Sequence, residues 1–354
     1  MSFRLKLGRE RRQGWSCDND MGNWRRTLNA DPLAWLLEPD MPAVRHLALR
    51  WLLDESEDSP EVRSALAAAM AADPIFTTLV AQHRDGYWVK PGPGYSPKYT
   101  GTIWCLSFLD QAGADPADER IRNGCSYVLR QTQAGCGGFG YDGSNGGVVH
   151  CLNGNLLAAL IRFGWLDDEQ VRRAIGWQVA SITGEGPIAW FRSGTTGPGF
   201  RCRLNGELPC AWGAIKALRG LAAIPLDRRS EQVRRAIEAG VEFLLSVDPA
   251  SPAYPARTRP SPNWFKFGFP SGYIADILQI LEVLVDLGLA GDSRLAGAVD
   301  LVRSKQDSQG RWANEYAYAD KTWVPFEADR SPSKWVTLRA CRVLKAVTEA
   351  TSSR

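Results

Sequence analysis

Four cysteines and a histidine fall within one stretch of this chain: Cys136, His150, Cys151, Cys202 and Cys210. Thiolate and imidazole are soft donors that hold zinc tetrahedrally. A thiol at a helix N-terminus with a histidine beside it is also a route to a nucleophile, because both neighbours favour the thiolate. Three alternatives follow: zinc on Cys151, Cys202 and Cys210; a catalytic pair of Cys151 or Cys210 with His150 as base; or inert buried thiols. The spacing Cys202-x7-Cys210 is no standard zinc-finger spacing, so all three stay open. The chain has three histidines, and the other two, His46 and His83, read as a core or surface residue and a turn residue. Asp276 is the remaining catalytic candidate. It lies in the apolar run Ile274 to Leu287, where an isolated charge needs a partner, such as Arg339, or a job.

Around these residues, loops rich in glycine, proline and aromatics carry bases and rings in alternation. Arg201 and Arg203 are placed to hold an anion. Tyr99, Trp190, Trp264, Tyr273 and Trp335 are placed to line an apolar pocket, where ring quadrupoles also stabilise cations.

Composition limits what such a site can serve. The chain has 354 residues, 44% hydrophobic and 23% charged, and can bury a large core. A net charge of +3 speaks against a nucleic-acid partner. No apolar run approaches the ~18 residues of a membrane span. The basic start, MSFRLKLGRERRQGW, has no apolar stretch after it, which argues against a secretory leader. Eight cysteines are too sparse for a disulfide scaffold and point to the cytoplasm.

The elements that must position the candidates are helices. Residues 1–30 read as a basic arm and 31–354 as one domain without sustained period-2 alternation. Glu-Gln-Val-Arg-Arg-Ala-Ile occurs at 169–175 and again at 231–237, each time opening an amphipathic helix. Asp167 with Gln170 resembles a capping box at the first of these. More apolar helices alternate with them, beginning near Met41, Gly101, His150, Pro209, Ser271 and Ser333. Helices apolar on most sides belong inside and amphipathic ones outside. Six such hairpins predict an all-α, closed (α/α)6 toroid. The inner-helix N-termini then gather at one mouth, whose long loops and partial positive charge suit an anion.

The turns carry a second repeat: Gln82-x-x-x-Gly86-x-Trp88, Gln133-x-x-x-Gly137-x-Phe139 and Gln306-x-x-x-Gly310-x-Trp312. This resembles the QW motif of the squalene cyclase and protein prenyltransferase superfamily, over roughly residues 41–348. The stretches Trp264–Pro270 and Ser333–Ala340 are similar to a bacterial branch of prenyltransferase/squalene-oxidase-repeat proteins. The resemblance implies an alpha-alpha toroid acting on an isoprenoid or other apolar substrate, in a central aromatic-lined cavity at the inner-helix N-termini, whose charge also admits an anionic one. Protein prenyltransferases hold zinc with an aspartate, a cysteine and a histidine, and Cys210 stands where the ligand cysteine would be. The departures are plain: there is no Asp-x-Asp-Asp, no Asp-Asp-x-x-Asp, and no histidine on a later inner helix. Beside a prenyltransferase-like or cyclase-like enzyme stand a hydrolase using zinc-bound water or the Cys–His pair, and a non-enzymatic toroid that binds a lipid or a protein.

Overall fold

The repeat in sequence becomes a repeat of helical hairpins. The computed structural model describes residues 23–186, 193, 195–251, 261–318 and 320–352. Along them run α1 (Leu33–Leu36), α2 (Pro42–Leu52), α3 (Pro60–Met70), α4 (Ile75–Val80), α5 (Thr102–Gln111), α6 (Glu119–Gln131) and α7 (His150–Arg162). Then follow α8 (Glu169–Thr183), α9 (Ala211–Ala222), α10 (Glu231–Leu244), α11 (Ile277–Asp286), α12 (Ala296–Ser304) and α13 (Lys334–Ser352). Helices α2, α5, α7, α9, α11 and α13 form the inner ring, and α3, α6, α8, α10 and α12 pack outside it. The fold is the expected (α/α)6 toroid.

Periodicity sorts the two rings. On α10, Val233, Ala236, Ile237, Gly240, Val241 and Leu244 are buried on one stripe while the charged residues face out. On α5, Thr102 through Leu109 are all buried, because an inner helix has neighbours on most sides. Four outer helices, α3, α6, α8 and α10, start on side-chain caps that satisfy orphan amides: Ser59, Asp118, Asp168 and Ser230 each accept a first-turn N–H. At α8 the cap is Asp168, one residue beyond the Asp167 expected from sequence. Asp167 instead pairs with Arg172 and Arg228 on the surface.

The three glutamine–glycine–aromatic turns behave alike. Trp88, Phe139 and Trp312 are fully buried. Their backbone amides donate to Thr102, Asn153 and Thr337 on the following inner helix. Gln82 Nε2 donates to Arg120 O (2.8 Å) and Gln133 Nε2 to Gln170 O (2.6 Å), each in the first turn of the next outer helix. At the third turn there is no next outer helix, and Gln306 Oε1 accepts from Asn29 N at 2.8 Å instead. A Cβ on Gly310 would lie 2.0 Å from Ala30 O, so glycine is required where the chain start seats against this turn. The segment Asn23–Thr27, with Trp24 buried, and α1 pack on α13 and occupy the sixth outer place. Residues 23–30, read from sequence as arm, are therefore part of the toroid wall; residues 1–22 lie outside the described residues.

All inner N-termini share one mouth, served by the long connections. The shorter connections serve the other mouth. Short antiparallel pairs order the long loops: Thr196–Gly197, Arg201–Cys202 and Leu208–Pro209 form one three-stranded ribbon with Thr196 opposite Cys202 and Cys202 opposite Leu208. Trp312–Ala313 pairs with Pro332–Ser333.

Candidate functional site

Helices α7 and α9 approach so closely that a Cβ on Gly154 would lie 2.1 Å from Lys216 O. That contact seats Lys216, the charged residue in the apolar turn Ala214 to Leu218, against the toroid axis, where it is 1% exposed. It lines a central cavity of about 610 Å³ that also meets α2, α5, α11 and α13. Such a volume suits a small organic ligand.

The cavity opens where the inner helices end. Last-turn residues Arg50, Asp110, Arg162, Arg219 and Asp286 gather there, and α13 brings Arg342 to the same level. Arginine near a helix C-terminus faces unpaired carbonyls and is favoured by the macrodipole. Ion pairs then stitch helix to helix. Arg219 donates to Asp110 at 2.6 Å, and Arg162 shares the same carboxylate at 3.2 Å. Arg342 pairs with Asp286, and Arg50 with Glu57. Deeper in, Arg339 Nε donates to Glu282 at 2.8 Å and its Nη1 to Gly268 O at 2.9 Å.

Lys216 is different. Among the described residues it is the one cation of this wall with no carboxylate within 4.0 Å. Its ammonium donates to Gln279 Oε1. Gln279 cannot turn round, because its Nε2 is held by Asp276 Oδ2 at 2.9 Å and by the Tyr316 hydroxyl at 3.2 Å. Tyr316 in turn donates to Asp276 Oδ2 at 2.8 Å. Burial, and then the nearby charge of Arg219, brings the Lys216 ammonium down to about 7. Burial also raises the Asp276 carboxyl. The cavity floor is aromatic: Phe269 and Trp335 stack with centroids 4.3 Å apart and planes 8° from parallel.

The other mouth is filled by the chain itself. Tyr99 packs on Tyr318 (4.4 Å), Phe108 on Tyr318 (6.2 Å) and Phe326 on Phe269 (5.4 Å), and the Trp323 indole donates to Thr100 O at 3.1 Å. The inner-helix N-termini do not wait for an anion. Asp276 Oδ1 caps α11 through Gln279 N, Glu327 Oε1 accepts from Lys334 N, and Gly94 O accepts from Ile103 N.

Of the residues expected from sequence, Cys151, Cys202, Cys210 and His150 do lie near one another, but away from this cavity. His150 is buried, with Nδ1 against Gln178 Nε2 (2.8 Å) and Nε2 against Gly197 O (3.2 Å), and burial lowers it to about 4. Both ring nitrogens are taken by packing partners, so it is not the base of a Cys–His pair. Burial, then the neighbouring Cys210 and Cys202, pushes the Cys151 thiol up to about 12, opposite to what a nucleophile needs. The Cys210 sulfur accepts the α9 cap bond from Gly213 N at 3.5 Å. Cys202 sits in the ribbon, its thiol also raised by burial. Among the described residues no three His, Cys, Asp or Glu side chains group to hold a metal ion. Arg201 and Arg203 are exposed on the loop. Trp264 is buried and donates to Pro249 O at 2.9 Å. Tyr99 and Tyr273 belong to the aromatic plug, both in contact with Trp104, and Trp190 lies outside the described residues. Only Trp335 lines the cavity, while Asp276 reaches it through Gln279 and does not pair directly with Arg339. Lys216 and Glu282 are not among the residues expected from sequence, although the signal that marks Asp276, a charge inside an apolar helix, marks both.

No protein-family model matches the sequence, and no curated protein does. Among solved structures, an unsaturated glucuronyl hydrolase specific for heparin is 13% identical, with a TM-score of 0.44 over 91% of this chain and 88% of that one. The type II terpene cyclase MstE from Scytonema is 14% identical, with a TM-score of 0.44 over 89% of each chain. A variant of that cyclase in complex with geranylgeranyl dihydroxybenzoate is 15% identical, again at 0.44, over 88% of each. At this distance the likeness carries no functional inference.

Proposed function

We propose that the chain is an enzyme whose active site is the central cavity and whose substrate is a small polar molecule, with Lys216 as the acid–base group. The single observation that carries this is the unpaired amine in a wall where every other cation has a carboxylate. A buried cation kept for stability is normally paired; an amine held near neutrality is suited to taking and returning a proton at pH 7. Gln279 fixes its position by accepting one N–H, which leaves the lone pair of the neutral amine for the cavity.

The polarity of the wall favours this substrate over an isoprenoid tail. Guanidiniums and carboxylates around the opening would lose water against an alkyl chain and gain no hydrogen bond in return. The apolar faces, Phe269 and Trp335, suit the flat face of a small ring or a short carbon chain. Zinc has no place in the proposal.

The test is a substrate screen pairing small acids, aldehydes and sugars with prenyl diphosphates. Turnover should appear in the polar half and fall about 10²–10⁴-fold in Lys216→Met, with the thermal transition retained. Turnover of prenyl diphosphates that Lys216→Met leaves intact would overturn it.

A further inference from the structure

We infer that Lys216 forms an imine with its substrate, and that the substrate is a small aldehyde or ketone carrying an adjacent carboxylate. This rests on the assignment of the cavity as the active site. Two features point beyond proton transfer. First, among the described residues Lys216 is the sole lysine on a wall otherwise supplied with guanidiniums. An amine is nucleophilic when neutral, whereas a guanidinium is not. Among the described residues no carboxylate lies within 4.0 Å of Lys216, and Asp276 stands behind Gln279. Second, charge near the amine is in excess. Arg219, one turn further along α9, Arg162 and Arg342 share two carboxylates, Asp110 and Asp286. One positive charge on that side is therefore left for a substrate anion, within reach of a carbonyl carbon at Lys216.

The chemistry balances without a further reactant. The neutral Lys216 nitrogen attacks the carbonyl carbon and forms a C–N bond. The carbonyl oxygen takes the two amine protons and leaves as water through the open end of the cavity. The imine nitrogen then takes one proton from solvent to become an iminium, which draws electrons from the neighbouring carbon. The aromatic floor of Phe269 and Trp335 keeps bulk water from the far side of that bond.

The experiment treats the full folded chain at pH 7 with glyoxylate and cyanoborohydride, and maps carboxymethyl-lysine by peptide mass. Acetaldehyde is the probe without the anion. Lys216 should be labelled by glyoxylate at least ~10-fold faster than the average surface lysine, well inside the ~10³-fold advantage in neutral amine that the shifted titration allows. It should also prefer glyoxylate over acetaldehyde. Label spread evenly over surface lysines overturns the imine, and equal labelling by the two probes overturns the carboxylate. A parallel acetylation of Lys216 with acetic anhydride across pH separates this inference from its premise. An amine that acetylates with a midpoint near 7 but traps no aldehyde sinks the imine alone; one that titrates like a surface lysine sinks both. Because label is mapped in the native sequence, the result stands even where Lys216→Met fails to fold.

Discussion

The two mouths of the toroid are built from opposite ends of the same six helices and have opposite characters. At the N-terminal mouth, long loops fold inward, and their rings, from Tyr99 through Tyr318 to Phe326, close the axis. At the C-terminal mouth the connections are short, nothing comparable folds over among the described residues, and a cavity edged with arginines and carboxylates stays open. The difference teaches that helix dipoles do not choose where a ligand binds. Orphan amides at the first mouth are satisfied by Asp276, Glu327 and Gly94. At the second, the last-turn arginines are only partly neutralised by the acids between them.

The largest expected effect comes from breaking the deepest pair behind the open mouth. Arg339→Met takes the ion-pair partner from the half-buried Glu282, which should cost about 3 kcal/mol. The double variant with Glu282→Leu should recover most of that, read from denaturant midpoints at unchanged slope. If the double variant is no better than the single, Arg339 acts through its bond to Gly268 O and its place on Phe269, and not through the ion pair.

A pH titration sharpens the comparison, since each mouth holds a group shifted to about 7. Burial raises the Glu327 carboxyl to about 7 from its ordinary 4.5. The folded state then holds a proton that the unfolded state releases, so this stability is full below 4.5 and is lost as pH rises through about 7. Lys216 runs the other way. Its folded value is depressed from 10.5 to about 7, so its contribution is full above 10.5 and is lost as pH falls through about 7. Glu327→Gln should flatten the first limb and Lys216→Met the second, measured as thermal midpoint against pH. A limb that survives its own variant belongs to another group.

Smaller effects test the plug. Tyr318→Phe removes the hydroxyl that accepts from Gly272 N at 3.2 Å, and should cost about 1 kcal/mol. Trp323→Phe removes the exposed indole donor to Thr100 O and should cost about 0.5 kcal/mol or less. Both should leave ligand binding in the cavity unchanged. If either opens a second binding site, the plug is a gate and not a wall.

Much of the frame was legible in the residues. Helix starts near Met41, Gly101, His150 and Pro209 fall within a residue or two of those observed, and each turn aromatic is buried as its motif implies. The α11 start was placed early, at Ser271, because Ile274 and Ala275 extend the apolar pattern although the helix begins only after Asp276 caps it. The cavity was harder to see. Cys136, His150, Cys151, Cys202 and Cys210 are clustered in sequence and drew attention, yet His150 and Cys210 are taken up by packing and capping. Lys216, Gln279, Glu282 and Arg339 come from three helices and share no motif.

The sequence by itself determined the architecture, because hydrophobic period, caps and turn glycines act within one hairpin and repeat from hairpin to hairpin. Only the tertiary structure decided which mouth stays open, which charges find partners, and which amine does not. Those outcomes depend on side chains from five or six separate helices meeting on one axis. The energy of a buried charge is set by what stands opposite it in space, and neighbours along the chain do not reveal that.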